Sequence, residues 1–386
     1  HLYAQSDSST MDEVVVTATK TPIKQSQTGK VVIVINQATL QKNVGKTLTE
    51  IINYQAGVFI NGANNNLGSN QDYYTRGAAT GNTLILIDGV PAADPSSVSS
   101  YFDLNSINPV QVERVEILKG AQSTLWGSDA VACVINIITK KGGATKFSPN
   151  AMVSFGSYNT FKINAGLAGK KDKFTYNLQY GFVNSKGFSS AYDSTGTAGF
   201  DDDKFTQNNF QANLGYQVIP KLAVQYSSVF GKYNTGLDAG AYTDDKDYTN
   251  ENSNFINTLK FVYTTQKATL HFTNTLINAK RLLNDDSMDI GGFSKYAEGN
   301  YKGSSFVSEL YGNINLTKNL SLVAGLQEVA NKTSQSYFSI SSFGPYETAL
   351  GDSAKTNNFA AYASLSLISY HNFNAEAGVR FNNHSI

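Results

Sequence analysis

From residue 146 onward the chain alternates apolar and polar residues, stretch after stretch, and no other feature constrains its fold as tightly. Phe161, Ile163, Ala165 and Leu167 share one parity, with Lys162, Asn164 and Gly166 between them. Phe174, Tyr176, Leu178, Tyr180 and Phe182 repeat the pattern, as do Phe210, Ala212, Leu214, Tyr216 and Val218. It returns in Leu320, Leu322, Ala324 and Leu326, and again in Phe373, Ala375, Ala377, Val379 and Phe381. A period of two is the strand signature. Stretches of about ten residues, with aromatics near their ends, suit tilted strands that cross a bilayer. No apolar run approaches the roughly 18–20 residues of a membrane helix. Helical spanning is therefore excluded and the β-barrel route stays open. Composition agrees: 16% charged residues, against roughly 25% in average soluble domains, and 22 Tyr with 22 Phe.

The connections differ in length. Residues 156–158, 219–220 and 317–319 read as tight turns, whereas 187–204, 234–252, 284–302 and 334–356 read as long polar loops. Short turns at one end and long loops at the other are the barrel pattern. About eleven strands fit between residue 146 and the end at the usual spacing. A large soluble β-sandwich is the competing reading, and strands this long argue against it.

The first 145 residues have a different grain. Val31–Ile35, Thr83–Ile87, 110–118 and 131–139 are strand candidates, and 47–54 reads as a short helix. This is enough for a small α/β domain. Two loops, 61–71 and 91–100, are rich in Gly, Ser and Asn.

Several functions are excluded or unsupported. With 30 basic and 30 acidic side chains, the chain lacks the basic face a nucleic-acid binder needs. A single Cys, Cys133, precludes an internal disulfide framework and a Cys-only zinc site. The four His have no metal-ligand spacing, and no serine elbow or phosphate loop is present. The expectation is a protein that is not an enzyme.

Five ordered segments resemble the plug of the TonB-dependent outer-membrane transporters. They are Asp12-Glu13-Val14-Val15-Val16-Thr17-Ala18-Thr19; Tyr74-Thr75-Arg76-Gly77 with 84–91 after it; Val112-Glu113-Arg114-Val115-Glu116-Ile117-Leu118-Lys119-Gly120; residues 123–130; and 134–139. Similar proteins usually carry Arg-Gly-Pro where this chain has Lys119-Gly120-Ala121, Tyr where it has Trp126, and a Gly pair at Ala132-Cys133. Cys133 then reads as a small packed residue. Within the family, the first two long loops resemble those of the cobalamin-receptor branch.

The resemblance implies a fold class: an α/β plug domain followed by antiparallel transmembrane β-barrel strands, about half of a 22-stranded barrel. It divides the chain into 1–20, an extension with the TonB box; 21–145, the plug; and 146–386, a partial barrel. His1-Leu2-Tyr3-Ala4-Gln5 resembles the tail of a cleaved signal peptide. An odd, half-complete barrel is expected to leave an unpaired edge, held by barrel-assembly machinery or completed by strands not present in this sequence. The implied location is the Gram-negative outer membrane, in contact with lipid and lipopolysaccharide. The implied function is uptake of a scarce large nutrient, cobalamin or a related corrinoid, with a ferric-siderophore receptor and an assembly intermediate as alternatives. Implied partners are the TonB C-terminal domain and, at the surface, a lipoprotein.

Particular residues carry these expectations. Asp12, Glu13, Val14, Val15, Val16, Thr17 and Ala18 form the TonB box, a mobile extended segment that adds a strand to its partner. Asn64, Asn65, Asn66, Leu67, Ala93, Asp94, Ser97 and Ser99 face the ligand, offering amides and hydroxyls that suit a neutral polar molecule better than an anionic ferric catecholate. Carried over from the family, Asp201, Asp203, Asp238 and Asp247 are the calcium ligands, and the family's further Asp falls near Ser189. By parity, Glu309 and Glu376 point into the lumen, where Arg76 and Arg114 of the plug are expected to latch them.

Overall fold

The computed structural model describes residues 14–97, 101–143, 145–286, 294–370 and 373–385. The chain opens with β1 (Val14–Val15), paired antiparallel to β2 (Ile23–Lys24), and then builds the plug. β3 (Val31–Ile35) leads into α1 (Gln37–Lys42) and α2 (Leu48–Asn53). Both helices start where a side chain can cap them: Asn36 accepts from Thr39 N, and Thr47 forms a capping box with Glu50. The hairpin β4 (Val58–Asn61) and β5 (Asp72–Thr75) follows, then β6 (Thr83–Ile87) and β7 (Val90–Pro91). The turn between these last two is Asp88-Gly89, both at positive φ, as a two-residue hairpin requires. β8 (Val112–Lys119), α3 (Ser123–Trp126) and β9 (Cys133–Thr139) complete the domain.

The plug sheet has the order β3-β8-β9-β6-β7, with β6 and β9 parallel. Ile117, Ile135, Ile137 and Leu86 are fully buried within it. Cys133 is buried against this core, and burial pushes its thiol up to about 12. Such a thiol is inert.

The remaining strands are β10 (Ser148–Gly156), β11 (Thr160–Lys171), β12 (Phe174–Ser185), β13 (Phe205–Ile219), β14 (Leu222–Gly236) and β15 (Thr249–Thr264), followed by β16 (Ala268–Asp285), β17 (Ser294–Asn315), β18 (Leu320–Ser341), β19 (Gly344–Tyr370) and β20 (Phe373–Ser385). Each pairs antiparallel with the next in one open eleven-stranded sheet. Parity sorts the side chains as the sequence predicts. Leu178, Tyr180, Phe210, Leu259, Phe272 and Leu310 are exposed on the outer face. Asn177, Gln179, Gln211, Asn213, Thr275 and Glu309 are buried on the inner face, against the plug.

Two expectations about connections are corrected. Residues 334–356 are not a loop: β18 runs to Ser341 and β19 starts at Gly344, with Tyr337 opposite Thr348. Strands that continue past the bilayer face water on both sides, so their polar residues mimic loop composition. The 157–159 turn also lies among the long loops rather than opposite them, since Lys186 N donates to Tyr158 O. Strict antiparallel order fixes this. The true short-turn end holds 172–173, 220–221, 265–267 and 316–319.

Inner-face glycines let the wall approach the plug. A Cβ on Gly231 would lie 2.3 Å from Ser106 O. The substitution Gly231→Val is expected to destabilise plug docking by about 1–3 kcal/mol. The sole Trp, Trp126 in the plug, supplies the readout. Its fluorescence transition in urea should move to lower concentration, and an unchanged midpoint would contradict the close contact.

Candidate functional site

The N-terminal segment is built into the plug. β8 and β9 place Glu116 opposite Asn136. Glu116 is fully buried, and its Oε2 accepts from Val16 N (2.9 Å), Thr17 N (2.9 Å) and Thr17 Oγ1 (2.6 Å). Asn136 Nδ2 donates to Thr17 Oγ1, and Trp126 Nε1 donates to Thr17 O. Val15 and Ala18 are fully buried. In this arrangement the expected extended segment lies against the plug, where the buried carboxylate satisfies the backbone N–H groups of Val16 and Thr17. Asp12 and Glu13 lie outside the described residues.

Two residues further on, the segment clasps the barrel. Lys20 Nζ forms a buried ion pair with Glu309 and donates to Tyr362 Oη at 3.0 Å. The ammonium lies 4.5–5.1 Å from the ring centroids of Trp126, Tyr311 and Tyr362. Tyr362 Oη donates to Glu309 at 2.9 Å. A second contact joins Lys30 to Glu376 at 2.9 Å, more exposed.

Glu309 and Glu376 thus latch the plug, but through lysines. Arg114 is turned inward to Glu116 (2.9 Å) and Glu113 (3.2 Å). Arg76 is exposed on a left-handed turn. The correction follows from β8 geometry: Arg114 and Glu116 share a strand face, so each is the other's nearest partner.

At the long-loop end the plug loops hold the wall. Asn66 Nδ2 donates to Asp203 O, and Leu67 packs beside Phe205 and Tyr233. Asp94 is buried, ion-paired to Arg281 at 3.2 Å, and accepts from Ser96. These three meet the barrel wall, where each has a polar or apolar partner. Asn64 and Asn65 are exposed. Ala93 and Ser97 line a cavity of about 390 Å³ with Asp129, Gln327, Asn331 and Arg380. Ser99 lies outside the described residues. Asp103 escaped the sequence reading: it accepts from Tyr233 and Asn252 of the wall, within a cluster containing Tyr73 and Tyr101.

The acidic loops form two groups. Asp201, Asp238 and Asp244 place carboxylate oxygens within 4.8 Å of one another, and Asp245, Asp247 and Asp285 do the same. The predicted set is divided: Asp201 and Asp238 share the first group, and Asp247 joins the second. Asp203 enters neither, because Ser190 N and Oγ occupy its Oδ2 at 2.9 and 3.1 Å. Ser189 Oγ donates to Asp238 at 3.0 Å. Asp201 Oδ1 is buried without a hydrogen-bond partner, which fits a hard cation seeking oxygen ligands. Burial raises the Asp201 carboxyl, reinforced by Asp244, and burial pushes Asp203 up to about 6.

Comparison with known proteins places this geometry. The TonB-dependent Receptor Plug Domain family matches residues 24–134. The Vitamin B12 transporter BtuB of Vibrio cholerae is 33% identical over 185 residues, which are 46% of this chain and 29% of that protein. The rhizobactin receptor of Rhizobium meliloti is 29% identical over 254 residues, 60% of this chain and 32% of that one. The ferripyoverdine receptor of the outer membrane of Pseudomonas aeruginosa superposes with a TM-score of 0.71 at 14% identity, covering 96% of this chain and 54% of its own. The chain spans about a third of the length of these curated relatives and about half of the solved receptor. Residues 24–134 are thus a TonB-dependent receptor plug domain by sequence, and the strand array that follows matches an outer-membrane receptor by fold.

Proposed function

We propose that the chain forms the plug and part of the barrel of a receptor that takes up a large, scarce nutrient, driven by TonB acting on the N-terminal segment. The observation that carries this reading is the double attachment of residues 14–20, to Glu116 of the plug and Glu309 of the wall. A segment bonded to both bodies links a pull at its end to their separation. No covalent chemistry is required. Deleting residues 12–19 should abolish uptake and leave ligand binding intact; undiminished uptake would refute the coupling role.

Cobalamin or a related corrinoid is the favoured cargo. Support comes from the 33% identity to a vitamin B12 transporter and from the paired acidic groups on adjacent loops. The rhizobactin receptor, aligned over a longer stretch, supports a ferric siderophore as the second reading. Saturable binding of radiolabelled cobalamin would decide for the first. Its absence, with binding of a labelled ferric siderophore, would decide for the second.

Calcium is proposed at the two acidic groups, held by Asp201, Asp238 and Asp244 and by Asp245, Asp247 and Asp285. A bound cation would neutralise these carboxylates and order the loops. The sign of the pH effect follows from the raised carboxyls. Burial pushes Asp245 of the second group up to about 6, so its protonated form gives the folded loops extra stability below the ordinary value of 3.8, and this is lost as pH rises through about 6. Calcium requires the ionised forms. Calcium affinity by calorimetry is expected to fall roughly tenfold between pH 7 and pH 5 for each such proton. In Asp201→Asn/Asp238→Asn the heat of the first group should vanish and that of Asp245, Asp247 and Asp285 should remain. Equal heats in variant and wild type would remove the calcium claim.

A further inference from the structure

We propose that the short-turn end of the sheet is a binding rim for anionic glycerophospholipid headgroups. Seven lysines collect there: Lys146, Lys170, Lys171, Lys173, Lys221, Lys267 and Lys318, all exposed. Across the strand ends and turns that carry them, the one acid among the described residues is Asp172. None of the seven ammonium groups enters an ion pair among the described residues, and only that of Lys173 donates a hydrogen bond there, to Val218 O. The opposite end is the reverse: the loops 186–204 and 237–248 carry eight Asp against three Lys.

Position, independent of charge, points to lipid. Beside these lysines the outer face exposes Phe147, Phe174, Tyr216, Ile219, Tyr263 and Leu316. Aromatic and aliphatic side chains in that place mark the boundary of the hydrocarbon layer. A lysine one or two residues beyond it lays its stem along the apolar surface and lifts its ammonium to phosphate depth. Successive turns join alternate strands, so they stand about 10 Å apart, close enough for neighbouring lysines to share a row of headgroups. A free phosphate would have no use for the apolar band.

Which leaflet this is rests on the function proposed above, because the N-terminal segment and Lys141 emerge at the same end. The binding itself does not. Purified protein in micelles is offered equal phosphatidylglycerol and phosphatidylethanolamine, and retained lipid is read by native mass spectrometry. Phosphatidylglycerol is expected to be retained about tenfold over phosphatidylethanolamine. Lys170→Gln/Lys171→Gln/Lys173→Gln/Lys221→Gln should abolish the preference, the matching arginine variant should keep it, and Lys186→Gln/Lys232→Gln at the far end should leave it unchanged. Equal retention of the two lipids, loss of preference in the arginine variant, persistence in the glutamine variant, displacement by millimolar inorganic phosphate, or stronger retention of lipopolysaccharide would each overturn the proposal. Failure of TonB-dependent uptake, tested separately, would leave this result standing.

Discussion

Glu309→Ala is expected to loosen the N-terminal segment by about 3–5 kcal/mol, the usual consequence of leaving one buried charge without its partner. Lys20 would keep its ring contacts with Trp126, Tyr311 and Tyr362, and these recover about 0.5–2 kcal/mol. Tyr362 Oη and Gln327 Nε2 would lose an acceptor as well. The measurement is hydrogen exchange at the amides of residues 15–20, where protection should fall by roughly two orders of magnitude. Lys20→Met/Glu309→Leu supplies the control. Replacing both charges with apolar groups of similar volume is often neutral, so protection should return towards wild type. If the single substitution leaves exchange unchanged, Glu309 is not a clasp.

The second large effect is expected from Glu116→Ala, inside the plug and away from the wall. It strips the acceptor from Val16 N, Thr17 N and Thr17 Oγ1 and leaves Arg114 with Glu113 alone. Hydrogen bonds to a charged group contribute about 1.5–3 kcal/mol each, so the same amides should lose at least as much protection. Glu116→Gln keeps the shape and an oxygen acceptor, and should fall between. The two clasps hold one segment from two sides, so their effects should not add. A double variant no looser than Glu116→Ala would mean that release from the plug suffices. Exact additivity would mean that the segment opens in independent halves.

The difference between what could and could not be read from the residues follows from range. Alternation along β12 or β13 is a local property, and one parity had to face lipid while the other faced the lumen. That placed Glu309 and Glu376 inside without any knowledge of the plug. The short helix read at 47–54 is likewise local, and in the fold Thr47 and Glu50 cap it. Parity cannot say which plug residue meets a lumen carboxylate. Arg114 looked suitable, yet it lies on the same strand face as Glu116 and pairs there. Lys20 looked like tail, yet the chain reversal between β1 and β2 carries it to the wall. The polar stretch 334–356 read as loop because a strand standing in water on both faces has no apolar parity to display.

The acidic loops show the same division. Their composition announced clustered carboxylates, and two of the carried-over residues, Asp201 and Asp238, do converge. Asp203 was diverted by a serine thirteen residues earlier, and Asp285 arrived from the end of β16.

By itself, the sequence determined the strand period, the division into plug and wall, the likeness of the plug and the facing of each lumen position, because these follow from nearest-neighbour patterns and from ordered motifs. Only the tertiary structure decided the pairings: Lys20 with Glu309, residues 16–17 with Glu116, Asp94 with Arg281, and the sorting of acids into two groups. A buried charge takes the partner that reaches it first with the least desolvation left uncompensated, and which partner that is depends on how distant strands are brought together, not on any property of either residue alone.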